Sequence, residues 1–193
     1  AEGVRYLEVR FAPQRLVASG EACVRALQAV GDGLRRAQRQ HNLSEAVRAG
    51  EDVPFDSAII CCAMRNFGRG TGDYYDRLLE LLPGMRHREV VAIASQEAVR
   101  AAVAARERFG VPVTGFDLAG EEAGYPAGHH VAAYEEAHRS FLCKTVHAGE
   151  AYGPESIYEA IARCHAERIG PGTFLFAPER IRDQALADPA GFA

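Results

Sequence analysis

No apolar run in this 193-residue chain approaches the length needed to cross a bilayer, and no secretory signal pattern opens it. The net charge is only −4, with 22 Lys and Arg against 26 Asp and Glu. The basic residues are scattered, so neither nucleic acid nor an anionic membrane surface is indicated as a partner. The five cysteines, at 23, 61, 62, 143 and 164, form no CxxC pair, and their number is odd. Four of them sit in apolar or helical contexts, which points to reduced thiols in an intracellular, cytoplasmic setting rather than a disulfide framework. Gly68, Gly70 and Gly72 lack the order of a phosphate-binding loop, and no Lys-Ser or Lys-Thr follows them. There is no internal repeat, low-complexity segment or second domain. The chain opens Ala1-Glu2-Gly3 without a Met and runs almost directly into a strand, so its true beginning is expected to lie upstream.

What is present, 48% hydrophobic and 25% charged residues, describes one globular unit. Val4 to Phe11 alternates β-formers with charges and reads as a strand, with Glu8 and Arg10 on one face where they could pair. Val24, Leu27, Val30 and Leu34 follow helical spacing between Glu21 and about Gln40. His41 to Asp56 is a connector with room for a short helical turn. Ser57 to Met64 holds the continuous apolar run Ala58 to Ala63, which suits a strand buried on both faces of a parallel sheet, with Arg65 at its end. A helix is expected from Asp73 to Leu82, a short strand over Glu89 to Ala94, and a helix from Gln96 to Phe109 closed by Gly110. Val113 to Asp117 is the next strand. At its end, Asp117 to Glu122 is either a polar substrate edge or a solvated acidic loop. A helix carrying Val131, Tyr134 and Ala137 follows, with His129, His130 and His138 expected on its exposed side.

The most reactive stretch is Lys144-Thr145-Val146-His147-Ala148-Gly149-Glu150. Val146 reads as strand, and Ala148 and Gly149 let the backbone leave it close to a ligand. His147 can bind a metal through a neutral ring nitrogen, and Glu150 can move a proton. Read alone, the stretch does not establish a site, because a lone histidine at a strand end is more often structural or solvated than a ligand. Pro154 fits the first position of a helix, with Ile157, Ile161 and Cys164 on one face. Arg168-Ile169-Gly170 is a very short strand before a turn. Four or five strands alternate with helices and no hairpin signal separates them, which implies an α/β fold with parallel strands. Periodicity does not separate a closed barrel from an open sheet.

Five segments in order resemble the adenosine deaminase family of the zinc-dependent metallohydrolase superfamily. They are Tyr6 to Pro13 (YLEVRFAP), Ile60 to Arg65 (ICCAMR), Gly115 to Glu121 (GFDLAGE), Thr145 to Glu150 (TVHAGE) and Arg168 to Gly170 (RIG). The resemblance implies part of a (β/α)₈ TIM barrel, its strands 2 to 6 with their helices, as one incomplete domain over residues 1–193, with the site at the carboxyl ends of the strands. It implies hydrolysis of a small purine nucleoside: a zinc-activated water attacks C6 of adenosine, and inosine and ammonia result. Carried over by position, His147 is a zinc ligand, Glu150 the proton donor to the ring, and Gly120 a backbone contact to the purine. Adenine or an adenine derivative is the alternative substrate, and a non-catalytic, truncated or degenerate binding module the alternative function.

The departures are specific. The family opens with a His-x-His strand and closes with an Asp-Asp pair, and neither segment lies in this chain. Where the family has Gly-His-Gly after the sixth strand, this chain has Pro171 between Gly170 and Gly172. Proline can neither bind a metal nor exchange a proton through its side chain. With one zinc ligand of about three present, the segment alone is expected to be inactive. Oligomeric state is left open.

Overall fold

The computed structural model describes residues 3–181. Five parallel strands, β1 (Tyr6–Phe11), β2 (Asp56–Met64), β3 (Val113–Ala119), β4 (Cys143–Ala148) and β5 (Arg168–Pro171), form one sheet in sequential order. Helices α1 (Gly20–Asn42), α2 (Glu45–Arg48), α3 (Asp73–Leu81), α4 (His87–Phe109), α5 (Val131–Arg139) and α6 (Pro154–Cys164) fill the connections. Parallel neighbours require such crossovers, and a sequential order with every crossover helical is the winding of a β/α barrel.

The sheet curls. Neighbouring strands lie about 4.8 Å apart, so a flat sheet would hold β1 and β5 roughly 19 Å from each other. Yet Arg168 Nη1 of β5 donates to Glu8 Oε2 of β1 at 2.6 Å, and Arg10 of β1 reaches Asp117 of β3 at 3.1 Å. Glu8 and Arg10 therefore do not pair with each other; each faces across the concave side to a distant strand. Ile59, Cys61, Ala63, Phe116, Leu118, Val146 and Ala148 point to the convex side and form the core with α1, α4, α5 and α6. With a period of two along each strand, Cys62, Asp117 and His147 fall on the concave side. The fold is part of a TIM barrel.

Three expectations are corrected. Glu89 to Ala94 is the first part of α4, not a strand. Its β-branched residues imitate a strand, but Val90, Val91, Ala94, Ser95, Ala98, Val99, Ala101, Ala102 and Ala105 are buried at helical spacing, and Glu89 caps the turn by accepting from the Arg86 amide. His130 is fully buried in the 3₁₀ turn before α5, whereas His138 is exposed as expected. On α6 the buried stripe is Ser156, Ile157, Ala160 and Cys164, and Ile161 lies outside it, 53% exposed. No helix of the described residues is long and apolar enough to cross a membrane.

Candidate functional site

Parallel strands present all their carboxyl ends on one side, so the residues following β2, β3, β4 and β5 converge there. His147 is the second-last residue of β4, in register with Gly170 of β5, and Ala148 is in register with Pro171. Gly120 follows β3 directly and Glu150 lies two residues beyond β4. The four positions singled out from the sequence are thus brought to one end of the sheet.

Asp117, on β3, has no exposed surface. A buried carboxylate is costly unless paired. Asp117 Oδ2 lies 3.1 Å from Arg10 Nη1 and 3.1 Å from His147 Nδ1. The tautomer consistent with that contact carries its proton on Nδ1, donated to the carboxylate, which leaves Nε2 with a lone pair. This is the arrangement in which a carboxylate orients a metal-binding histidine. As a set, however, the residues fall short of a metal centre: among the described residues no three His, Cys, Asp or Glu side chains are placed to hold an ion. His147 fits zinc as a single ligand only.

Two further charged groups fix the backbone on either side of His147. Arg65, at the end of β2 and 1% exposed, donates from Nη2 to the His147 carbonyl and from Nη1 to the Tyr125 carbonyl, each at 2.6 Å. Burial pulls its pKa below the ordinary arginine value, and nearby Glu122 opposes that. Glu122 accepts from the backbone amides of Gly149 (2.6 Å), Glu150 (3.0 Å), Ala151 (2.6 Å) and Tyr152 (3.0 Å), and from the Ser156 hydroxyl. Burial raises its pKa, but the hydrogen bonds from Ser156 and these amides outweigh that and hold the carboxyl below its ordinary value. The acidic run at 117–122 is therefore not a solvated loop throughout: Asp117 and Glu122 are buried, and of its carboxylates only that of Glu121 is exposed.

Gly120 has a φ of +109°, a region side chains avoid, and a Cβ there would sit 3.2 Å from Met64 Cε and 3.6 Å from the Arg65 amide. Gly120 is exposed. Glu150 is exposed. A cavity of about 340 Å³ lies behind the 149–152 loop, lined by Arg65, Glu122, Tyr152, Ser156 and Glu159 rather than by His147 or Gly120. Sequence reasoning passed over the structural parts of Arg65, Asp117 and Glu122. The available signal was a charge closing an otherwise apolar strand, at Arg65 and again at Asp117.

A family model described as adenosine deaminase matches residues 1–188. The chain belongs to the adenosine deaminase family. An adenosine deaminase of Mycobacteroides abscessus is 35% identical over 193 residues, covering all of this chain and 42% of that protein. Among solved structures, an amidohydrolase from Burkholderia ambifaria with bound zinc superposes with a TM-score of 0.58 at 19% identity, covering 91% of this chain and 39% of that one. The N6-methyl-AMP deaminase of Arabidopsis thaliana, in its apo form, gives 0.58 at 22% identity, covering 92% and 43%. At those identities the likeness speaks for the barrel fold alone. The deaminase family model, matched over residues 1–188, carries the family. This chain spans about two-fifths of the length of the curated relatives it matches.

Proposed function

We propose that this chain is the central part of an adenosine deaminase-type hydrolase, its residues 1–193 forming one incomplete barrel domain that acts on a purine nucleoside. The observation that carries the reading is the His147–Asp117 pair at the carboxyl ends of two strands, in a chain whose curated relative is named an adenosine deaminase. His147 would offer Nε2 to a zinc whose other ligands come from outside residues 3–181. Zinc, when bound, supplies an acidified water for attack on C6. Glu150 delivers a proton to the ring nitrogen beside that carbon, which makes the carbon electrophilic and lets ammonia leave. The Gly120 backbone lies against the ring.

Pro171 and the single ligand set the expectation for the chain by itself: supplied with zinc, it leaves the ultraviolet spectrum of adenosine unchanged and binds far less than one zinc per chain. Ordinary turnover would overturn this account of the site. The roles are tested in a hybrid in which residues 6–172, with Pro171→His, replace the matching segment of the Mycobacteroides abscessus relative. There Glu150→Gln is expected to lower kcat by roughly 10²–10⁴-fold with zinc retained, since an amide keeps the shape but cannot give the proton. His147→Ala is expected to lose the metal as well. Full activity of the Glu150→Gln hybrid would refute the proton-donor role. A hybrid silent even with Pro171→His would favour a non-catalytic module, the reading Pro171 supports, and a substrate profile decides between adenosine and adenine or its derivatives.

A further inference from the structure

We infer that Glu122 is a positioning residue for Glu150: one buried carboxylate gathers the backbone of residues 149–152 and so sets where the Glu150 side chain leaves the chain. Its consequence for catalysis rests on the deaminase reading; the geometry does not.

The need arises where the sheet ends. The ladder between β4 and β5 stops at Ala148–Pro171, so the amides that follow have no strand to pair with. Four consecutive donors buried without acceptors would destabilise the loop. Glu122, 7% exposed and reached from the end of β3, collects all four. Its two oxygens divide the work. Oε2 takes the amides of Glu150, Ala151 and Tyr152, and Oε1 takes the Gly149 amide and the Ser156 hydroxyl from the first turn of α6. Bonds to an ionised acceptor are roughly twice as strong as neutral ones. On the carbonyl side the Gly172 amide donates to Ala148 at 3.0 Å and the Phe174 amide to Gly149 at 3.0 Å. Gly149 itself has a φ of +72°, and a Cβ there would overlap Ile157. With Arg65 holding the His147 carbonyl, the run from His147 to Tyr152 is clamped by two buried groups of opposite charge. All of the Glu122 hydrogen bonds named here fall between Gly149 and Ser156, which is why its effect is local to the segment bearing Glu150.

The test uses the 193-residue chain and needs no turnover. Glu122→Gln keeps the shape but replaces one acceptor by an NH₂ donor, so whichever way the amide turns, two or three donors face a donor. Exchange of the amides of 149–152 with deuterium is expected to quicken about tenfold or more, while the amides of β2 keep their rates. The ¹³C resonance of the Glu150 carboxyl is expected to shift and narrow as that side chain gains freedom. Glu122→Asp, with the charge but a shorter reach, is expected to restore part of both. Val91→Ala, which opens a gap in the separate apolar cluster of Phe67, Tyr75 and Val90, serves as the control and should leave the Glu150 resonance in place. If Glu122→Gln does not fold, Ser156→Ala removes one acceptor of the Gly149 amide and should quicken exchange at that residue first. Unchanged protection at 149–152, uniform loosening of the whole chain, or the same Glu150 shift in Val91→Ala would each overturn the inference. None of these outcomes touches the deaminase reading, which fails or stands on the hybrid's turnover.

Discussion

Asp117 shows what a single residue decides. It is fully buried on the concave side, and it shares one oxygen between Arg10 and His147 at 3.1 Å each. The arginine compensates its charge, and the histidine gains an orientation. Arg10 is 43% exposed, so water can solvate it when the carboxylate is removed and the stability cost should be modest. The larger effect should be on the histidine. In the hybrid deaminase, Asp117→Asn is expected to weaken zinc binding by about 10–100-fold, the usual cost of losing the partner that fixes a ligating imidazole. Competition against a chelator measures it. Unaltered zinc affinity would mean that His147 is oriented without Asp117, through the hold of Arg65 on its carbonyl.

At the scale of elements, the joint between the 3₁₀ turn Ala127–His130 and α5 holds one source of acid sensitivity. His130 has no exposed surface, and neither ring nitrogen finds a well-formed hydrogen bond among the described residues. Burial first, and then the Arg65 cation, push its pKa down to about 3 from an ordinary 6.5. The folded state thus keeps the ring neutral, whereas the unfolded chain takes up a proton below pH 6.5. The contribution is intact above that pH and is lost as pH falls from 6.5 towards 3. Each unit is worth up to about 1.4 kcal/mol, so urea denaturation at pH 4.5 should show roughly 2–3 kcal/mol less stability from this residue than at pH 7. His130→Leu, close in volume and without a charge to lose, should remove that difference. Equal acid sensitivity in the two proteins would place it elsewhere.

The same joint shows which features local pattern can carry. β2 was legible because a run buried on both faces is written in consecutive residues, and α1 because its buried positions repeat every turn. Glu89 to Ala94 was not, since two valines and an isoleucine favour a strand locally and only the packing of α4 against the sheet decides for a helix. His130 reads as a surface helix residue until the turn before α5 folds it inward. In the site, His147, Glu150 and Gly120 stood out by chemistry or by resemblance. The partners that hold the loop and the histidine did not, because they are distant in sequence: Asp117 is 30 residues from His147, Arg65 is 82, and Glu122 is 27 to 30 from the amides it binds. No periodicity spans such separations. Only the convergence of strand ends brings them together.

At the scale of the whole molecule, the arc formed by the described residues is open on both sides. Among the described residues β1 pairs only with β2 and β5 only with β4. The helices cover the convex face, and the Glu8–Arg168 pair ties the two outer strands across the concave one, but neither tie hides an edge. β1 is the longer edge. Its outer backbone groups have no strand partner among the described residues, and Tyr6 and Leu7 are 53% and 42% exposed beside them. An apolar edge with free donors and acceptors is a template for pairing with another chain, and natural edges are commonly blunted by charge. Arg5, Glu8 and Arg10 do not blunt this one, being engaged with Asp52, Arg168 and Asp117 respectively. The 193-residue chain is therefore expected to associate reversibly as its concentration rises, with β1 at the contact. Leu7→Lys places a free charge on that edge without touching the convex core, and it should shift the association to several-fold higher concentration in sedimentation velocity. A chain that stays monomeric throughout, or whose association ignores Leu7→Lys, would show that the edge at β1 is not the surface through which copies meet.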